Sequence, residues 1–245
     1  MFLISKSYYK IVKFKKIGRG IVARQDIPAG TVIGDYLGRL IDDKEVDCLE
    51  RLYKGECYAL HYWKDLSVFP LDVKAPGVHL LNNSCTNNCS TFFYYGHSLI
   101  FALRKILAGE ELSLDYLFEL ENNEEYAANC HCGSPLCRGT MYTSAENLKR
   151  YKYFCRALVK KYKFKAQSKG EILKPLTDYP GNIKDYSYFD LYANFTAKPL
   201  ILANKSLPGV PVMRRLIRRE GRPLRFSKLG ITILGVAGGL LISRK

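Results

Sequence analysis

The segment Cys130-His131-Cys132-Gly133-Ser134-Pro135-Leu136-Cys137 places three thiols within eight residues. Thiolates at this spacing supply three corners of a tetrahedral zinc site, and the fourth must come from a distant part of the chain. Cys85, in the polar run Asn82-Asn83-Ser84-Cys85, is the best remote ligand, because a polar turn is an odd place for a cysteine kept only for packing. The amino-terminal stretch MFLISKSYYKIVKFKK has no apolar core ahead of a small-residue cleavage site, so no secretory signal is expected. Thiols retained inside a cell stay reduced, which favours metal over disulfides.

Those residues need a scaffold. The first 118 residues read as short β segments cut by glycine and polar turns: KIVKFKKI, TVIGDYLGRLI, CYALHYW, STFFYY and SLIFALRKI. One helix is expected over Asp43–Tyr53, with Val46, Leu49 and Tyr53 on one face. The strands are too short and too irregularly spaced for βαβ units, so a β-rich fold is expected. Beyond the cysteines, Thr143 and Glu146 have capping-box spacing, and a helix is expected from there to about Lys165. Its apolar side would carry Tyr151, Phe154, Leu158 and Tyr162. Residues 168–211 read as loop, punctuated by Pro175, Pro180, Pro199, Pro208 and Pro211.

Charge divides the chain. Residues 1–142 hold 16 basic and 17 acidic side chains, a net of −1, whereas residues 143–245 hold 22 and 6, a net of +16. A neutral body joined to a basic region suggests two jobs, the second being contact with a polyanion. Nucleic acid contact is therefore expected within residues 149–228, where lysine and arginine interleave with tyrosine and phenylalanine. The uncharged run 229–243 is short for a membrane span and reads first as a buried hairpin or helix, with membrane contact as the alternative.

Four segments in order carry a resemblance. They are Gly18-Arg19-Gly20-Ile21-Val22-Ala23 with Asp35-Tyr36-Leu37-Gly38, then Leu80-Leu81-Asn82-Asn83-Ser84-Cys85 with Asn88-Cys89. Gly109-Glu110-Glu111-Leu112-Ser113-Leu114-Asp115-Tyr116 and the cluster at 130–142 follow. Together they resemble the signatures of SET-domain protein-lysine methyltransferases with a post-SET zinc motif. The resemblance implies a mainly β SET fold with a knot-like active-site crossing. It divides the chain into a SET domain (1–118), a zinc-bound post-SET segment (119–142) and a helical or irregular basic C-terminal region (143–245). S-adenosylmethionine and zinc are the implied cofactors.

Carried over by motif, Gly18, Arg19, Gly20, Tyr58, Asn82, Asn83, His131 and Met141 would bind the cofactor, with Tyr142 beside it. Tyr116 and Tyr58 would be catalytic, and Cys85, Cys130, Cys132 and Cys137 would hold zinc. Methyl transfer to an amine is an in-line displacement that needs alignment more than a strong base. The lysine, ordinarily titrating near about 10.4, must be neutral, which an aromatic, desolvating channel assists. A tyrosine in a chain with 18 of them is ordinarily packing, so motif position singles these two out. Asn83 stands where the family has histidine, Asn87 where it has proline, and His79 where it has arginine. Leu114, in place of Phe or Tyr, leaves di- and trimethylation sterically open.

Glu110 and Glu111 read as a solvated turn, and His61, His79 and His97 lack metal-ligand spacing. The resemblance implies a histone tail or another basic protein as substrate and a nuclear, chromatin-bound enzyme. A cytoplasmic or membrane-tethered protein is the alternative location. A catalytically weak SET-like module docking on nucleic acid or chromatin is the alternative function.

Overall fold

The computed structural model describes residues 1–53, 58–118, 129–143 and 145–183. Cys57, the arginine-dense segment 214–225 and the uncharged run 229–243 lie outside these residues. Three small sheets surround two apolar clusters with Phe164 packed against both, a β-rich body as the short β segments lead one to expect. β1 (Tyr9–Phe14) pairs antiparallel with β2 (Gly18–Ala23), Ile11 facing Ile21. The segment read as one strand from Thr31 to Ile41 is two strands in different sheets, β3 (Val32–Asp35) and β4 (Arg39–Asp42). The break includes Gly38, where an added Cβ would lie 2.0 Å from the Phe69 carbonyl oxygen, so only glycine fits.

α1 (Asp43–Leu52) is opened by Asp42, whose carboxylate accepts the Glu45 amide at 3.0 Å. It fully buries none of its residues. β5 (Leu60–Trp63) and β6 (Leu66–Phe69) complete the sheet of β4. After a 3-10 turn (Val78–Leu80) comes β7, only two residues long (Asn82–Asn83). β8 (Cys89–Tyr94) and β9 (His97–Ala102) form a hairpin against β3. Every residue of β9 is buried, because both of its faces are covered. β10 (Glu111–Leu114) runs antiparallel to β2 on one side and parallel to β7 on the other, with Ser113 beside Asn82 and Leu114 beside Asn83.

α2 (Ala145–Lys161) lies on β8 and ends before the expected Lys165, the chain turning where Lys163 adopts φ 47°. Its contact side follows the expected spacing. Leu158 is 4% exposed, Tyr151 lies 3.0 Å from the Thr91 hydroxyl, and the Tyr162 ring centroid is 4.9 Å from that of Phe92. The chain then returns across the sheets. Phe164 packs against Tyr62, Trp63 and Phe93, with ring centroids 5.3–5.4 Å apart. The Leu40 amide donates to the Glu171 carbonyl at 2.8 Å, and the Ile183 amide donates to Gly30 at 2.7 Å. Tyr179 donates its hydroxyl to the buried Asp35 carboxylate at 2.7 Å, and His97 Nδ1 lies 2.7 Å from the same oxygen. Among the described residues no helix is long and apolar enough to cross a membrane.

The expectation of a solvated turn at Glu110 and Glu111 is corrected here. Glu110 is buried and pairs with Arg104 at 2.9 Å, the two side chains being 9% and 7% exposed. Its carboxylate also accepts the Leu107 amide at 2.9 Å, closing the turn into β10. Sequence spacing reveals the glycine turn but not the arginine across it. Removing one partner of such a pair strands a buried charge. Glu110→Ala is therefore expected to cost about 3–5 kcal/mol, read as a lowered midpoint in urea denaturation.

A four-cysteine cluster and the candidate active site

The four predicted cysteines converge. The sulfurs of Cys85, Cys130, Cys132 and Cys137 all lie within 4.8 Å of one another. Cys85 Sγ is 3.6 Å from Cys130 Sγ and 3.9 Å from Cys137 Sγ. With Zn–S bonds of about 2.3 Å, the corners of a tetrahedron lie about 3.8 Å apart, so the donor set fits zinc in chemistry and spacing. Zinc there would act as a structural cross-link. The loop is shaped for this by Gly133 and Gly139, at φ 67° and 79°, and by the Cys130 amide donating to Gly139 at 3.1 Å. The Arg138 amide points at Cys85 Sγ (3.4 Å) and the Gly139 amide at Cys137 Sγ (3.3 Å), donors that favour thiolates. Burial pushes the Cys85 thiol well above its usual range, a cost that a bound cation offsets.

Two further links fasten this cluster to β10. Arg138 grips Asp115 through two parallel bonds of 2.7 and 2.9 Å, and the Asp115 side chain is wholly buried. Asn83 is the other link. Its side-chain oxygen accepts the Tyr116 amide at 2.9 Å, and its side-chain nitrogen donates to Cys130 Sγ at 3.3 Å. One amide thus touches both the backbone of the predicted catalytic tyrosine and a predicted zinc ligand. The two ring nitrogens of a neutral histidine share with a carboxamide this ability to accept at one atom and donate at another.

Asn82 holds the neighbouring motif. Its side-chain nitrogen donates to the Arg19 carbonyl (3.1 Å) and to Glu111 Oε1 (2.8 Å). A Cβ on Gly20 would come within 2.5 Å of that nitrogen and 2.8 Å of Glu111 Oε1, so the close approach requires glycine. Gly18, at φ 76°, has open space beside its α-carbon, room for a ligand against the backbone. The Arg19 guanidinium is engaged elsewhere, donating to the Lys74 carbonyl at 2.8 Å and to the Val73 carbonyl.

Tyr116 donates its hydroxyl to the Leu81 carbonyl at 3.0 Å, and its ring begins a series with Phe118 (5.7 Å) and Tyr142 (6.4 Å further). Tyr58 lies against the same apolar core. Its carbonyl accepts the Tyr36 hydroxyl at 2.6 Å, and its ring stands edge-on to Tyr53 and His79. Burial lowers the His79 pKa, and its Nε2 lies 3.2 Å from the Val73 carbonyl. Leu114 is buried, His131 is exposed and Met141 is half-buried. Sequence reasoning did not find Arg138, Asp115, Glu111, Tyr36 or Phe118 as site-forming residues. All but Phe118 lay inside the quoted motifs, where spacing alone assigns no partners.

The family model described as SET domain matches residues 18–117. Among relatives, histone-lysine N-methyltransferase trithorax of Drosophila virilis is 33% identical over 139 residues, 54% of this chain and 4% of that protein. Histone-lysine N-methyltransferase 2B of Homo sapiens is 34% identical over 128 residues, covering 49% and 5%. Histone-lysine N-methyltransferase ASHH3 of Arabidopsis thaliana is 36% identical over 139 residues, covering 53% and 37%. The matched region is thus a small part of the first two relatives and just over a third of the last. The part of this chain that resembles SET domains is therefore residues 18–117.

Two expectations follow. Partners that orient metal ligands typically matter about 10–100-fold in affinity. Zinc-loaded Asn83→Ala is therefore expected to yield its metal to a competing chelator about 10–100-fold more readily than wild type, and Asn83→His to resemble wild type. For Glu111, burial raises the carboxyl pKa, the Asn82 bond opposing it only in part. A raised folded-state value means a stability contribution present in acid and lost as pH rises through that value. Glu111→Gln should match wild type near about pH 4 and melt at higher temperature near about pH 8, in thermal scans across that window.

Proposed function

We propose that this chain is an S-adenosylmethionine-dependent protein-lysine N-methyltransferase acting on a histone or another basic protein, in the nucleus and on chromatin. The observation that carries the reading is Tyr116, held by Asn83 on the strand pair that joins two SET signatures, beside the four-cysteine cluster. The names of the relatives, histone-lysine N-methyltransferases from animals and a plant, support the same reaction and substrate class.

S-adenosylmethionine supplies an electrophilic methyl group on a sulfonium. The rest is the work of this chain. Gly18 keeps the backbone open to a ligand, Gly20 admits the Asn82 and Glu111 side chains, and the Asn82 side chain fixes the Arg19 peptide. Tyr116 and Tyr58 line the lysine channel, exclude water and orient the lone pair of the neutral amine. Their rings tolerate the cation that forms. Leu114 adds no hydroxyl near the amine, so nothing there holds a water in the place of a second methyl group. His131 and Met141 would lie beside the adenine, on a flap that the four cysteines would fasten through zinc.

The test is incubation of the purified protein with labelled S-adenosylmethionine and mixed histones, followed by mass spectrometry. Wild type should transfer label and accumulate di- and trimethyl-lysine, and Tyr116→Phe should be slower by about two orders of magnitude, as misalignment of a reacting group predicts. No transfer, with no S-adenosylmethionine binding by calorimetry, would refute the reading.

A further inference from the structure

α2 buries Leu158 against the body and turns a largely basic stripe toward solvent on the opposite side. At about 100° per residue, Lys149, Lys152, Tyr153, Arg156 and Lys160 fall within an arc of about 100°, and Leu158 lies on the opposite side. All five are exposed, Tyr153 by 68%, while Leu158 is buried against the body. The stripe extends for about 16 Å along the helix. Lys163 continues it past the helix end and is also exposed.

A helix face kept only for solubility ordinarily mixes signs, because opposite charges three or four residues apart support the helix and like charges weaken it. From Leu148 to Lys163 there is no acidic residue at all, and Lys152, Arg156 and Lys160 stand at successive i,i+4 positions. A partner that brings many negative charges at close spacing fits such a face. A membrane fits poorly, since an interfacial helix must lay an apolar face into the lipid, and that of α2 is occupied by β8. An acidic protein would be expected to meet apolar anchors beside the charges, and the stripe offers only Tyr153.

We infer that this face of α2 is a docking surface for the phosphate backbone of duplex DNA, bound without regard to sequence. Lysine and arginine neutralise phosphates and release counterions, and Tyr153 packs its ring against the sugar edge. The surface is independent of methyl transfer, so it stands or falls separately from the enzymatic reading.

The test uses the full chain and fluorescence anisotropy on a labelled random-sequence duplex of about 20 base pairs, titrated across salt concentrations. The comparison is Lys149→Glu/Arg156→Glu/Lys160→Glu. Residues 184–245 are common to both proteins, so the difference reports α2 alone. Wild type should lose affinity steeply with salt. The triple variant should bind at least about tenfold more weakly, with a log–log salt slope shallower by about 2–3, given about 0.9 per phosphate contact. Its zinc content and its methyl transfer to a free peptide should match wild type, since the three side chains touch neither site. An unchanged slope in the variant, absence of duplex binding by wild type, or tighter binding to single-stranded RNA or to phosphatidylserine vesicles than to duplex would each overturn the proposal. Lys149→Gln/Arg156→Gln/Lys160→Gln, which adds no negative charge, should fall between the two.

Discussion

A two-residue parallel ladder cannot stand on its own backbone bonds, and here the site depends on one. β7 offers only Asn82 and Asn83 to Ser113 and Leu114 of β10. Parallel pairing is slightly weaker per residue than antiparallel, and such a short run offers too few rungs to outweigh the entropy of ordering two distant segments. Side-chain amides make up the difference. Asn88 donates to the Glu111 carbonyl at 2.8 Å and accepts the Ser113 amide at 2.9 Å, imitating a neighbouring strand. Asn83 accepts the Tyr116 amide, and the Ser84 amide donates to the Leu114 carbonyl at 2.7 Å. Asn82, Asn83 and Asn88 thus supply rungs from their side chains.

The cysteine cluster follows from the same constraint. Cys85 comes two residues after the ladder ends, and its sulfur lies with those of a loop more than 40 residues away. A metal at that point would close the loop covalently in all but name, reducing the entropy of the unfolded chain as a cross-link does. Arg138 to Asp115 reinforces it from the other side. A buried ion pair is weak evidence of net stabilisation, but it is strong evidence of register, because neither charge tolerates a slipped partner. The pair specifies where the loop lands, and a metal on the four sulfurs would hold it there.

Much of this was legible in the sequence. The β segments and both helices emerge from periodicity, and the four cysteines that converge were singled out by spacing, turn context and motif, because those signals are local or chemically narrow. β7 was not legible as a strand, since two residues have no period. The split of residues 31–41 into two sheets was hidden because the approach of Phe69 to Gly38 is a tertiary fact. Glu110 looked solvated for the same reason: its partner Arg104 lies across a turn whose burial no charge pattern displays. Asn83 stood out only as a departure from the family's histidine, and the structure gives its amide two specific partners, one on each side of the site.

The basic region also proves to be two things. The SET match ends at residue 117, yet the apolar core does not. Leu158, Leu173 and Ile183 are buried within it, and Tyr179 supplies a hydroxyl to Asp35, a carboxylate with no access to water. Stripped of residues 145–183, the body would expose the outer face of β8 and leave Asp35 with one fewer donor in an apolar setting, a combination that costs both burial and desolvation free energy. The helix is thus obliged to be where it is by its apolar side. That obligation fixes the direction of its other side, so the lysines and arginines face outward as a consequence of how the core is completed.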